Sequence, residues 1–173
     1  MTTELATPII AGTTVASHVV FVLFLFLYAT NATIKKGTQQ IVNTYIDEII
    51  FIFAFVALAG SLIYSNIVGF PPCDLCWVQR IFIYPQVLIA SVSMWRKEKL
   101  AVYYALPLSL IGGAVALYHS YVLWGGGSLL PCTAVGGECS KVYVMEYGYI
   151  TIPVMALTTF IYLLTVSYIY KKS

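Results

Sequence analysis

The chain has 173 residues, of which 60% are hydrophobic and only 9% charged, with a mean hydropathy of +0.88. A soluble domain of this size cannot cover itself with so few polar groups, so the composition excludes a soluble enzyme or binding module and puts the chain in lipid. The net charge of +2 gives no reason to expect a nucleic-acid partner; what matters is where the charges sit.

A helix needs roughly 20 apolar residues to cross the hydrocarbon of a bilayer. Five runs qualify, at about Ile9–Thr30, Asp47–Val68, Trp77–Trp95, Leu100–Trp124 and Ile150–Tyr170. The first reads as a retained span rather than a cleaved secretory signal. No Lys or Arg precedes it, it is longer than a signal core, and no small-x-small cleavage site follows. A polar connector, Asn31–Ile46, carries Lys35 and Lys36.

The second span contains Ala57, Gly60 and Ser61, small residues suited to close helix contact. It stops at Gly69-Phe70-Pro71-Pro72, because proline cannot continue a helix and biases the preceding residue towards extended backbone. Asp74 is the expected cap of the third helix, which should start near Cys76. That span holds Gln79, Arg80, Pro85 and Gln86, and the basic turn Arg96-Lys97-Glu98-Lys99 follows it. The fourth span holds Pro107, Gly112-Gly113 and His119. A longer loop to Tyr149 carries Cys132 and Cys139. Within it, Val142–Tyr147 is apolar and aromatic enough to lie on the membrane surface. The last span ends at Lys171-Lys172.

Seven of the nine Lys and Arg residues lie in the 31–46 connector, the 96–99 turn or the C-terminal tail. Alternation of five spans puts these three regions on one face, which the positive-inside rule makes cytoplasmic. Both cysteine pairs, Cys73/Cys76 and Cys132/Cys139, then share the opposite, oxidising face.

With helices bounded near Trp77 and Trp124, Arg80 and His119 fall roughly 5–8 Å inside that outer boundary, level with Cys76. Ionisable groups inside a membrane are costly, which makes each a functional candidate. The plainer readings are that Arg80 snorkels to the interface and that His119 is a packed, hydrogen-bonded helix residue. Cys76 sits near a helix N-terminus with Arg80 one turn along; both favour a thiolate there. Such a thiolate could meet an electron-accepting aromatic head group dissolved in the bilayer, with Arg80 and His119 stabilising or protonating the charge that develops. Three roles remain open for the cysteines: a zinc site, two static disulfides, or two pairs exchanging electrons.

Pro72-Cys73-Asp74-Leu75-Cys76-Trp77-Val78-Gln79-Arg80-Ile81, followed by Tyr84-Pro85, resembles the signature of the DsbB/BdbC family of membrane thiol:disulfide oxidoreductases, most closely its Gram-positive-type branch. Leu117-Tyr118-His119 is similar to that family's histidine segment. The Cys132…Cys139 loop and Tyr149-Ile150-Thr151-Ile152-Pro153 resemble its second cysteine loop and last helix. The resemblance runs from about Asp47 to the C-terminus.

It implies an all-α membrane protein of the prokaryotic cytoplasmic membrane, in which 47–173 is a four-helix transmembrane redox bundle. Residues 1–46 are then an extra N-terminal transmembrane helix with a cytoplasmic connector. It also implies that an extracytoplasmic thioredoxin-fold, DsbA-like partner attacks the Cys132–Cys139 disulfide at Cys132. Cys139 then exchanges with Cys73, and Cys76 contacts a quinone (ubiquinone or menaquinone) held by Arg80 and His119, with no metal involved. The extra first span and the short spacing of the second cysteine pair depart from the family pattern. The glycines at 125–127 can supply the reach that short spacing demands of Cys139. A vitamin-K-epoxide-reductase-like enzyme is a rival reading, although there the quinone-facing Cys-x-x-Cys comes late in the chain. A non-enzymatic membrane protein with two structural disulfides is another.

Overall fold

The computed structural model describes residues 2–126 and 139–172, with side chains from residue 7 onward. Five helices account for most of them: α1 (Thr2–Thr30), α2 (Ala32–Leu62), α3 (Asp74–Arg96), α4 (Ala101–Leu123) and α5 (Ile152–Lys171). All five are long and apolar enough to cross a membrane, and no strand occurs among the described residues. The expected all-α membrane fold, a four-helix bundle with one extra helix, is what these elements form.

α2 to α5 pack as a ring, each against the next, with α5 closing back onto α2. Phe160, Ile46, Ile50, Leu163 and Val102 fill its centre, all fully buried. α4 and α5 approach closely because Gly112 has no side chain. A Cβ there would lie 2.3 Å from the Phe160 ring and 2.9 Å from Phe82 Cβ.

The expected connector 31–46 is helical. Asn31 caps α2 by accepting from the N–H groups of Thr33 and Ile34, and nothing after it breaks a helix until Tyr45, whose non-helical backbone (φ −116°, ψ 29°) kinks α2. Below the kink the polar part runs as its own helical arm. Above it, 46–67 spans about 33 Å at 1.5 Å per residue, enough for the hydrocarbon core. At the same end of the bundle Ser93 Oγ donates to Asp47 Oδ2 (2.8 Å) and accepts from the N–H groups of Leu100 and Ala101. One buried hydroxyl thus ties α2 and α3 to the start of α4.

At the other end α2 widens into a π-helical turn, Ile63–Ile67. Gly69 then takes a positive φ of 84°, which only glycine adopts without strain, and Phe70 donates back to the Tyr64 carbonyl. Pro71 and Pro72 carry the chain to α3 without backbone donors to satisfy. The segment 142–150 forms no helix. It turns at Tyr147 (φ 53°) and Gly148 (φ 77°), pairs Glu146 with Ile150, and buries Val144. Val142, Met145 and Tyr147 stay exposed.

Candidate active site

The site forms where α3 begins. Cys73, not the expected Asp74, is the N-cap: its backbone is extended, and its sulfur accepts from the Cys76 N–H at 3.4 Å. Cys76 therefore occupies the first turn of α3, with its sulfur 2.9 Å from that of Cys73. This is less than about 1 Å longer than a disulfide bond. Both thiols are free in this structure.

His119 reaches the pair from α4. It is buried, with Nε2 3.7 Å from Cys73 Sγ and 3.3 Å from the Cys139 carbonyl, and Nδ1 2.9 Å from Gln79 Nε2. An amide nitrogen only donates, so Nδ1 accepts and the neutral ring carries its proton on Nε2. That proton faces the Cys73 sulfur and the Cys139 carbonyl.

Three donors therefore converge on Cys73 Sγ: the Cys76 thiol, the Cys76 N–H and His119 Nε2. The hydrogen bond from Cys76, helped by the one from His119, pulls the Cys73 thiol down to about 4 against the opposing effect of burial. From sequence the anion belongs on Cys76, through the helix terminus and Arg80. The donors favour Cys73 because it is the cap and because Arg80 turns elsewhere. The Arg80 guanidinium donates to Ser61 Oγ (2.9 Å) and to the Ser61 carbonyl (3.2 Å), and lies 5.0 Å over the Trp77 ring.

Cys139 is buried in one cluster with Cys73 and Leu75, against Cys76, Val115 and Tyr118. It is disulfide-bonded. Cys132 and the glycine at 127 lie outside the described residues. Of the residues singled out from sequence, Cys73, Cys76, His119 and Cys139 come together, and Arg80 shares a cavity with them. Gln79 was not among them. Its signal in the sequence is an uncharged amide inside a span, one helical turn after Cys76, where a polar group needs a partner.

Cys73, Cys76, Arg80 and His119 open onto one cavity of about 350 Å³, lined largely by apolar side chains, which lies within the range of small-molecule sites. Three further polar atoms on its lining residues, Tyr64 Oη, Tyr84 Oη and Thr151 Oγ1, are buried with no partner among the described residues. An apolar cavity holding a dithiol, an imidazole, a guanidinium and unpaired hydroxyls suits a flat, lipid-soluble molecule with hydrogen-bond acceptors at its edge. A quinone head group is such a molecule, and the residues present fit it. The sulfur atoms of Cys73 and Cys76 and one ring nitrogen of His119 also lie within 4.8 Å of one another, a donor set that a soft divalent metal could use. Closing the dithiol to a disulfide would remove two of those three ligands.

Residues 46–170 match the family described as disulfide bond formation protein DsbB. The chain is 38% identical over 125 residues to probable disulfide formation protein C 1 of Bacillus anthracis, covering 69% of this chain and 87% of the relative. It is 37% identical over 122 residues to disulfide bond formation protein C of Bacillus subtilis (66% and 88%). A third relative, probable disulfide formation protein of Oceanobacillus iheyensis, is 40% identical over 136 residues (73% and 88%). No solved structure matches the chain.

Proposed function

Since the chain belongs to the DsbB family of disulfide bond formation proteins, and is thus a multi-pass membrane protein of disulfide formation, we propose that it reoxidises a thioredoxin-fold, DsbA-like partner and delivers the electrons to a membrane quinone. The observation that carries this reading is that a free Cys73/Cys76 dithiol, with His119 against it, lines the same apolar cavity as Arg80.

The partner's dithiol reduces the loop disulfide through Cys132 and leaves as a disulfide. Cys139 then exchanges with an oxidised Cys73–Cys76 bond, so that the loop pair is oxidised again and Cys73/Cys76 becomes the dithiol. Contact of Cys139 and Cys73 in one buried cluster supports this exchange over the short spacing of the loop pair. Stabilising the Cys73 thiolate stabilises the reduced pair, which makes Cys73–Cys76 the stronger oxidant and draws electrons from the loop. A bound quinone supplies a two-electron, two-proton acceptor. Cys76, half-buried on the cavity wall, gives up its electrons there as it recloses onto Cys73. Arg80, whose guanidinium keeps N–H donors beyond the two given to Ser61, is available to bind and orient the acceptor's oxygens, while His119 lines the same cavity with its Nε2–H turned to Cys73. In this reading both cysteine pairs face the extracytoplasmic side, which the clustering of Lys and Arg in the other loops and the tail supports.

The test is turnover by purified protein. A reduced thioredoxin-fold substrate should be oxidised only when quinone is added, and Cys76→Ser should abolish the reaction. Undiminished quinone-dependent turnover in Cys76→Ser would overturn the assignment.

A further inference from the structure

α1 lies outside the residues that match the family, yet Ile10, Thr13, Thr14 and Ser17 line the same cavity as Cys76, Arg80 and His119. These four recur at i, i+3, i+4 and i+7, one stripe of a helix. Three of them, Thr13, Thr14 and Ser17, are small, and their hydroxyls are turned back into the helix. Thr13 and Thr14 donate to the Ile10 carbonyl (both 2.8 Å), and Ser17 to that of Thr14 (2.7 Å). What they present to the cavity is therefore mainly methyl surface, with room left in front of it. Val19, Val20, Leu23 and Phe26 stay exposed, as lipid-facing residues would.

A polar clasp holds this stripe in place. His18 Nε2 meets Thr158 Oγ1 on α5 at 2.7 Å and His18 Nδ1 meets the Tyr149 hydroxyl at 3.2 Å. Ser17 Oγ lies 3.0 Å from Tyr162 Oη, and the Phe21 and Tyr162 rings pack at 4.4 Å. In an apolar medium such hydrogen bonds fix the rotation of a helix, because an unpaired polar group there is costly. The rotation they fix turns the small stripe to the redox cavity.

We propose that α1 is the lipid-side wall of the electron-acceptor site, so that the quinone head group binds against Thr13 and Thr14. The inference rests on the quinone reading above. It gives the extra helix a part in binding the acceptor and leaves the thiol chemistry to the other four.

Photolabelling of the intact wild-type protein with a short-tailed azido-benzoquinone, followed by peptide mapping, tests it directly. Label should appear both on 7–30 and on the α3 peptide holding Cys76 and Arg80, and excess unlabelled quinone should compete it away. Competable label on α3 with none on 7–30 would overturn the inference and leave the quinone reading standing. No competable label anywhere would overturn both. Thr14→Trp, which fills the cavity from α1, should raise the KM for quinone at least tenfold. It should leave reduction of the loop disulfide by a thiol partner, measured without quinone, unchanged. An unchanged KM in Thr14→Trp, or in the milder Thr14→Phe should the first not fold, would also overturn it.

Discussion

Gln79 on α3 donates its side-chain amide to Nδ1 of His119 on α4 across 2.9 Å, and both side chains are buried. This contact sets the tautomer of the ring and so decides that Nε2 carries the proton next to Cys73. Gln79→Leu removes the donor and leaves Nδ1 unpaired or the ring in the other tautomer. We expect turnover to fall about tenfold, corresponding to roughly 1.4 kcal/mol. Gln79→Glu, which can only accept when ionised, should favour the Nδ1–H form and move the pH profile as well as the rate. A profile unchanged in both variants would reduce Gln79 to packing.

The Cys73 thiol, pulled down to about 4 chiefly by the Cys76 thiol and then by His119, should be modified by a small alkylating reagent at a rate that is flat above about pH 5. The rate should fall off only as the pH drops through about 4. Since the folded-state value lies below the ordinary one, the contribution of Cys73 itself to the stability of the reduced protein is fully present above the ordinary thiol range and is lost as pH falls towards 4. Cys76→Ala should raise the midpoint more than His119→Ala, following the order of the causes. Mass spectrometry of the Cys73 peptide across pH reads both effects.

Tyr64 stacks on Phe70 with ring centroids 6.2 Å apart, while its buried hydroxyl has no partner among the described residues. If that hydroxyl serves the acceptor, Tyr64→Phe should leave thermal stability without quinone unchanged and raise the KM for quinone about 5- to 10-fold, as loss of one hydrogen bond does. A drop in stability with an unaltered KM would make the hydroxyl structural.

Gly112 lets Phe160 cross α4. Gly112→Ala puts a methyl into that ring and should destabilise the bundle by about 1–3 kcal/mol, as overpacking does. Adding Phe160→Leu should restore part of the loss, because the two sites share one space. Thermal unfolding in detergent measures both.

Much of the bundle was legible because a span announces itself by length and apolarity alone. Counting residues along two helices put Arg80 and His119 at one level, and they line one cavity. The partners did not follow from counting. Gln79 meets His119, and Ser61 meets Arg80, through the rotation of one helix against another, which a single sequence does not encode at any fixed spacing. Asp74 looked like the cap because carboxylates cap helices well, but the sulfur of Cys73 takes the position one residue earlier. The polar stretch 32–44 was read as a connector because apolarity marks membrane spans and is silent about helix outside them. α1 was visible as a span, yet its place on the cavity depends on the His18 contacts to Tyr149 and Thr158, more than 130 residues away.

In the proposed reaction, electrons leaving a thiol partner end on a quinone through Cys76. The most direct measurement is anaerobic: count quinol formed against partner dithiol consumed by the purified protein. The wild type should form one quinol per disulfide, and Cys76→Ser none. Disulfide formation that proceeds without quinone, or quinol formation that persists in Cys76→Ser, would contradict it.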